Sequence, residues 1–530
     1  MDNSQKYFEE GRKDDLWKRH CGWFSLSRSD FREIQTRLVL EQIKILGPSK
    51  IGKAFFGEHI PTSVEEFRQA TPLTTYSDYE EMLMDKNEED LPVKPFVWAR
   101  TTGTSSGQPK WIPYSRSMYD HFSDPIIGGM LLSSCSEPGD VKLDRNDKFL
   151  MATAPPPYSS AYIMRSMRDN FGVIFLPSLE EGEKMTYGER VATGFKLALR
   201  EGLDYFMGIS VVLARMGEQF EQQSPNTRPS RDLLNPFILW RLVKALIISK
   251  INKREILPKD IWHLKGVMCG GTDTEIYGDK IEYYWGKKPL EGYANSESGT
   301  MAIQAWNLKG MIFYPDNAFL EFIPIAEANK NKTDPGYIPK TVLYDELDLG
   351  LYELVFSNFY GGVLVRYRIG DLFEVISNDD QEIGSELPQV RFYSRADYII
   401  DLSNFVRFTE KDIWKTIGAT GIEYEDWAAR KENIAGNSVL HIYIELKPSN
   451  EITEEGLHGE LDKQFSARFS DYRDIKGILG YNPLVVTKLP PGSFNAYMKE
   501  KTAAGADLAH LKPPHMKPSD EIMKNLTSFL

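Results

Sequence analysis

Thr101-Thr-Gly-Thr-Ser-Ser-Gly-Gln-Pro-Lys110 holds five hydroxyl side chains, two glycines and a lysine in ten residues. Apolar residues precede it (Phe96-Val-Trp98) and follow it (Trp111-Ile112), which predicts strands on either side. A loop of this make-up can turn many backbone N–H groups and hydroxyls toward one anion, with glycines permitting φ > 0. It is not the Walker loop G-x-x-x-x-G-K-[ST]: Gly103 and Gly107 lie too close, and Pro109 stands between Gln108 and Lys110. The stretch by itself is as compatible with a Ser/Gly-rich surface hairpin as with a phosphate loop of another class.

The chain of 530 residues is too long for one core and predicts two or three domains. Hydrophobic content of 41% and aromatic content of 12% suffice for packed domains. A net charge of −13 argues against nucleic acid or an anionic membrane as the main partner, while leaving room for a local cationic nucleotide pocket. Cys21, Cys135 and Cys269 are far apart, which fits a reducing compartment and no disulfide scaffold or zinc knuckle. The start, Met1-Asp-Asn-Ser-Gln-Lys6, has no apolar signal core. The most apolar helix candidate, Phe237 to Ile248, is interrupted by Arg241 and Lys244 and is too short to span a bilayer. The expectation is a cytoplasmic protein with no nucleic-acid and no membrane partner.

Residues 1–95 read as helical. Asp30–Leu46 has spaced apolar residues and stops at Gly47-Pro48, and Ser63–Glu66 and Ser77–Glu80 fit the capping box. From about 96 to 400 strand-like runs (148–153, 172–176, 264–269, 318–325, 353–357, 364–376) alternate with helical ones (188–201, 279–285). This predicts a large α/β domain with mixed sheets over 1–400. Asn329–Pro339 and Ser377–Pro388 read as surface loops. After about 401 a helix near Lys411–Ile417, a strand at 439–446, a helix at 454–469, a strand at 484–488 and a helix after Gly492 predict a smaller α+β domain, 401–530. Two unequal domains predict a cleft, where ligands bind.

Three further segments bear on the opening stretch. Val267-Met-Cys-Gly-Gly-Thr272 is a strand running into two glycines, where backbone can approach a flat ligand or simply turn into a helix. Gly292-Tyr-Ala-Asn-Ser-Glu-Ser-Gly299 carries one carboxylate among small polar residues, suited to Mg²⁺ shared with phosphates or to an acidic first turn of a helix. Arg366-Tyr-Arg-Ile-Gly-Asp371 reads as a strand ending in Gly-Asp, whose aspartate can accept from a ribose diol or sit in a β-turn beside two solvated arginines. Apolar residues that cluster between these landmarks, Tyr162, Met164, Phe206, Met207 and Ile209, are candidates for an acid pocket, with plain core packing the bland alternative.

In order and spacing these segments resemble the adenylate-forming superfamily, and most closely its auxin-responsive acyl acid–amido synthetase family. The family's Thr-Ser-Gly-Thr-Ser-x-Gly-x-x-Lys followed by Ile-Pro-Tyr is similar to 101–110 followed by Ile112-Pro-Tyr114. Its Tyr-Ala-Ser-Ser-Glu resembles Tyr293-Ala-Asn-Ser-Glu297, with Asn295 departing, and its Tyr-Arg-Val-Gly-Asp resembles Tyr367-Arg-Ile-Gly-Asp371. Pro72-Leu-Thr-Thr-Tyr-Ser-Asp-Tyr79, Gly492-Ser-Phe494 and Leu511-Lys-Pro513 extend the likeness over nearly the whole chain. The lysine-containing hinge of plant members has no clean counterpart. Instead Arg395–Thr409 is spaced like the hinge of phenylacetate–CoA ligases, with Arg407 a stand-in for the lysine, and the terminal arginine is replaced by His515.

The resemblance implies ATP-dependent activation of a carboxylic acid as acyl-AMP, then transfer to an amine, usually of an amino acid. It implies that Thr102, Gly103, Thr104, Ser105, Ser106, Gly107 and Lys110 hold the β- and γ-phosphates. Glu297 would hold Mg²⁺ and Asp371 the ribose. Gly270, Gly271, Tyr293 and Ala294 would bracket the adenine, with Asn295, Ser296, Arg395 and Arg407 also binding the nucleotide. Lys512 would reach the carboxylate and α-phosphate from a small domain pivoting near Asp401-Leu402. An acyl- or aryl-CoA ligase and a non-catalytic ATP-binding scaffold are the competing expectations.

Overall fold

The computed structural model describes residues 3–105, 108–153, 155–185, 187–223, 235–270, 274–395, 400–402, 406–408, 410–434, 436–503 and 515–528. The chain divides into two compact units: residues 1–101 with 108–396, and residues 102–107 with 397–530.

The first unit opens with helices. Arg28–Leu46 begins at Ser27, whose hydroxyl accepts from the Asp30 N–H while the Asp30 carboxylate accepts from the Ser27 N–H. It buries Phe31, Leu38, Val39, Ile43 and Leu46, the 3.6-residue stripe visible in the sequence. Ser63 caps Val64–Ala70 as expected. The second capping box lies at Thr75 and Asp78, two residues before the predicted Ser77–Glu80 pair.

The centre of this unit is a twelve-stranded mixed sheet. Its strands are β3 (Lys148–Met151), β4 (Ile174–Leu176), β5 (Tyr205–Ile209), β6 (Gly266–Gly270), β7 (Leu290–Asn295), β8 (Gly299–Gln304), β9 (Met311–Phe313), β10 (Ala318–Pro324), β11 (Val342–Leu343), β12 (Gly350–Asn358), β13 (Tyr367–Ser377) and β14 (Gln389–Arg395). They lie in the order β11-β10-β12-β13-β14-β9-β8-β7-β6-β5-β3-β4. From β4 to β7 all pairs are parallel. From β7 onward all are antiparallel. The parallel strand β6 is buried over Gly266–Cys269, so it reads as a continuous apolar run and not an alternating one. The stretch that opened the sequence reading is a separate two-stranded hairpin, β1 (Val97–Ser105) and β2 (Gln108–Tyr114).

Strands β5, β7, β8, β9, β11 and β14 lie outside the strand-like runs named from the sequence. For β5 the short Tyr-Phe-Met-Gly-Ile run carries no distinguishing period, yet it lies between β3 and β6. Asn329–Pro339 is not wholly a loop, because the helix Ile325–Thr333 covers its first half.

In the second unit, β15 (Ile400–Leu402) pairs with β16 (Val406–Phe408). A three-stranded sheet follows, β17 (Tyr424–Ile434), β18 (Asn437–Leu446) and β19 (Leu484–Leu489), with the first pair antiparallel and the second parallel. The crossover from β18 to β19 contains the helices Glu454–Arg468 and Ser470–Leu479. Strand β17 was missed because its outer half, Arg430-Lys-Glu-Asn433, is charged and polar, and only Trp427–Ala429 shows burial-grade apolarity. No helix among the described residues is long and apolar enough to cross a membrane.

Candidate nucleotide site

Only residues 106 and 107 separate β1 from β2, so the hydroxyl-rich stretch is mostly strand. Ser106 and Gly107 lie outside the described residues, as do the side chains of Thr102, Thr104 and Ser105. Lys110, on β2, is half-buried with its Nζ 5.0 Å from the Tyr76 ring centroid. Tyr76 is fastened to the same strand: its hydroxyl accepts from the Trp111 N–H at 2.8 Å and lies 3.2 Å from the Trp111 carbonyl oxygen. Burial first, then the charge of Glu297, push the Tyr76 phenol up to about 12, so it is a hydrogen-bonding group and not a base.

Glu297 sits in the turn between β7 and β8, where the sheet changes from parallel to antiparallel. It is not at a helix start, which removes the N-cap alternative. The turn is built locally: the Asn295 Oδ1 accepts from the Ser298 N–H at 2.7 Å, and Gly299 takes φ 76° to enter β8. It is also tied from outside. Asn358 Nδ2 donates to the Glu297 carbonyl at 3.0 Å, Asn317 donates to the Ser298 carbonyl at 2.9 Å, and the Tyr114 hydroxyl donates to the Ser296 carbonyl. Ser159 donates to the Ser296 hydroxyl at 3.1 Å. Glu297 is buried, and no cation among the described residues forms an ion pair with its carboxylate. Its charge acts on three phenols, Tyr76, Tyr114 and Tyr367, each already raised by burial. No group of three His, Cys, Asp or Glu among the described residues could by itself hold a metal. A single buried carboxylate fits Mg²⁺ that takes its other ligands from phosphate and water.

Asp371 does not end a strand. It lies inside β13, in a bulge where Leu354 of β12 lies opposite Ile369, Gly370 and Asp371, with Gly370 at φ 80°. A bulge re-aims the side chain it carries. The Tyr293 hydroxyl donates to Asp371 Oδ2 at 2.5 Å, and Arg395 Nη1 lies 3.1 Å from Oδ1 while its Nη2 donates to the Ile369 carbonyl at 2.8 Å. Burial, and then the Asp371 charge, hold the Tyr293 phenol protonated. Asn295 Nδ2 lies 3.4 Å from the same Tyr293 hydroxyl, so the Glu297 turn and Asp371 belong to one network.

The arginines flanking Tyr367 are not solvated. Arg366 is buried and makes a two-pronged pair with Glu321, both bonds at 2.9 Å, and Arg368 does the same with Glu353 at 2.8 Å. The first pair ties the residue before β13 to β10, and the second ties β13 to its neighbour β12.

The remaining nominees distribute as follows. Gly270 ends β6 opposite Gly292 of β7, and a Cβ there would meet only the Gly292 carbonyl at 3.5 Å, so close packing of the protein does not demand a glycine. Gly271 and Lys512 lie outside the described residues. The Tyr293 ring packs edge-on to Phe373 and parallel to Phe392, while Ala294 is exposed on β7. Arg407 pairs with Asp401 at 2.6 Å across the β15–β16 ribbon. Of the acid-pocket candidates, Tyr162, Met164 and Phe206 are buried, and Met207 and Ile209 are half-buried at the end of β5. Tyr76, Tyr114 and Tyr367, which surround Glu297 electrostatically, received no role from the sequence, although each stands in a segment that carries the resemblance.

Three family models match the chain: the GH3 family N-terminal domain over residues 21–138, the GH3 family central domain over 311–395, and the GH3 family C-terminal domain over 402–521. Among solved structures, AtGH3.15 acyl acid amido synthetase in complex with 2,4-DB is similar at 16% identity and TM-score 0.54, covering 100% of this chain and 97% of that one. A second GH3.15 acyl acid amido synthetase structure is 15% identical with TM-score 0.51, covering 94% and 93%. A 2-hydroxyisobutyryl-CoA ligase with 2-HIB-AMP and CoA is 13% identical with TM-score 0.53, covering 92% and 88%. At such identities the structural likeness is one of fold: a large mixed α/β unit followed by a smaller one. With all three of the family's domains matched in order along it, this chain belongs to the GH3 family.

Proposed function

We propose that the protein is an acid–amino-acid ligase: it activates a carboxylic acid with ATP as acyl-AMP, then transfers the acyl group to an amine to form an amide. The observation that carries this reading is the single network joining the Glu297 turn, Asn295, Tyr293, Asp371 and Arg395, with Lys110 beside the same Tyr76 on which Glu297 acts. Three residues suited to phosphate, metal and ribose, Lys110, Glu297 and Asp371, are thus linked through these tyrosines from distant stretches of the chain.

A carboxylate attacking a phosphate is anion on anion, so donors and cations must be aimed in advance where charge gathers. In this reading Lys110 neutralises the departing pyrophosphate. A lysine about 4 Å from a phosphate oxygen contributes roughly 4 kcal/mol at an effective dielectric near 20. That is about a thousandfold in rate if it acts mainly in the transition state. Asp371, held by Tyr293 and Arg395, accepts from the ribose hydroxyls. Glu297 would hold Mg²⁺, which screens the phosphates and draws charge from the α-phosphorus when bound. Lys512 would serve the carboxylate and α-phosphate. The division into 1–400 and 401–530, with a pivot near Asp401-Leu402, would let the smaller domain rotate between adenylation and transfer, a motion of the kind that often sets turnover.

The test is pyrophosphate release across a panel of carboxylic acids, each with amino acids, with CoA, or with neither. Amide formation is the expected outcome. Thioester without amide would replace this reading by an acyl- or aryl-CoA ligase, and silence with every acid would leave an ATP-binding scaffold.

A further inference from the structure

The helix Pro236–Asn252 is packed to the protein through Ile238 and Ala245, which are buried. Its opposite face is apolar and open: Phe237 is 67% exposed, Trp240 65%, Ile247 54% and Ile251 74%, with Leu239, Val243 and Leu246 also exposed. Successive outward positions Trp240, Val243, Ile247 and Ile251 follow helical spacing, so they form one stripe. Scattered apolar side chains on a surface need no explanation, but a contiguous stripe of this kind marks a place of contact.

The helix's own charges are of one sign, with Glu255 and Asp260 just beyond its end. Residues 236–254 contain Arg241, Lys244, Lys250, Lys253 and Arg254 and no acidic residue, in a chain whose net charge is −13. Lys244 lies 5.7 Å from the Trp240 ring centroid and 3.0 Å from His263 Nε2. Beside the helix a cavity of about 300 Å³ is lined in part by Ile248, Lys259, Asp260 and His263. Arg254 is engaged with Asp260, at 2.6 and 2.8 Å, while Lys250 and Lys253 are exposed.

We infer that the outward face of Pro236–Asn252 is a docking surface for an anionic lipid bilayer, with Trp240, Val243, Ile247 and Ile251 entering the interface and Lys244, Lys250 and Lys253 meeting the headgroups. Aromatic and branched apolar side chains on one face with flanking lysines are what an interfacial helix requires. The lysine stems can cover apolar surface while their ammonium groups stay at headgroup level. At 17 residues, with basic residues inside it, the helix lies on a membrane and does not cross it. A second copy of the chain is the poorer occupant, because a two-fold contact through this face would set the same cations against themselves. The inference is independent of the ligase reading.

Cosedimentation of the full chain with vesicles tests it. Binding is expected to phosphatidylcholine vesicles containing phosphatidylserine, weakening with salt. It is not expected with phosphatidylcholine alone. Lys250→Glu and Lys253→Glu should each lower the partition by about fivefold or more, at roughly 1 kcal/mol per cation near an anionic surface. Trp240→Glu with Ile247→Glu should abolish it while leaving pyrophosphate release unchanged, since these side chains are exposed. Equal binding to both vesicle types overturns the inference. So does no binding to either, including the case in which sedimentation velocity shows a dimer that the Trp240→Glu, Ile247→Glu variant loses.

Discussion

The Tyr293 hydroxyl donates to Asp371 Oδ2 at 2.5 Å, joining β7 to β13, which are not neighbours in the sheet. Asp371 also lies 3.1 Å from Arg395 on the adjacent β14. Its carboxylate is therefore aimed from two sides before any ligand arrives. Asp371→Asn should raise KM for ATP by about tenfold to a hundredfold, the worth of one or two charge-assisted hydrogen bonds. Tyr293→Phe should cost less than tenfold alone. ATP–pyrophosphate exchange measures both, and equal losses would remove Asp371 from direct contact with ATP.

Cation and hydroxyl contributions to adenylation should separate cleanly. Lys110→Ala and Lys512→Ala should each slow exchange by up to about a thousandfold. Ser106→Ala, losing one hydrogen bond to a charged group, should cost about tenfold to a hundredfold. Similar losses for Lys512→Ala and Ser106→Ala would refute the ranking.

Glu297→Gln should abolish the dependence of exchange on added Mg²⁺ and leave a residual rate at least about a hundredfold down, while chelation of divalent ions should silence the unmodified protein. The same substitution removes a negative charge that, after burial, holds the Tyr76 phenol up, so that phenol should titrate lower in the variant than in the parent. Ultraviolet difference titration reads this without any reaction, and an unmoved phenol would place Glu297 elsewhere.

The buried pair Arg366–Glu321 should govern stability more than rate. Glu321 is fully buried, with Arg366 as its two-pronged partner and Arg68 at 3.3 Å. Arg366→Met should cost about 3–5 kcal/mol, the usual result of leaving one buried charge of a pair behind. Denaturant unfolding checks the loss. Unfolding within about 1 kcal/mol of the parent would show that Arg68 suffices.

His515 should make the smaller unit sensitive to pH. Its Nδ1 lies 2.6 Å from Glu410 and its Nε2 2.8 Å from Asp426, and the ring stacks on Trp427 at 4.5 Å. Burial lowers its pKa, but the hydrogen bonds to Asp426 and Glu410 outweigh burial and raise it. A folded value above the unfolded one of about 6.5 means the stabilisation is complete below that pH and is lost as pH rises through the folded value. Thermal melts from pH 6 upward should show a decline that His515→Gln flattens, and parallel curves would remove the imidazolium from the account.

Local physics made much of this molecule readable. The helix Arg28–Leu46 announces itself by its apolar stripe and by Gly47-Pro48 after it, and β18 by the alternation of Leu440, Ile442, Ile444 and Leu446 with His441, Tyr443 and Glu445. Each of these depends on neighbours within a few positions. The chemistry-bearing types were legible for the same reason: a lone glutamate in Tyr-Ala-Asn-Ser-Glu and an aspartate after Arg-Ile-Gly stand out where they are. Strand β5 escaped because five residues of mixed size carry no period, and only its place between two parallel neighbours makes it a strand.

The opening stretch, 101–110, shows where sequence stops. Its residues alone determined that hydroxyls, glycines and a lysine would be concentrated in one short stretch bordered by apolar residues. Which residues surround Lys110 and its strand was decided by the tertiary structure. Tyr76 reaches the backbone of Trp111, Glu297 is delivered by the β7–β8 turn, and Arg366, which composition paints as solvated, is buried against Glu321. The two hydrogen-bonded partnerships join residues 35 and 45 positions apart, and they exist because burial leaves each polar group no water to choose instead.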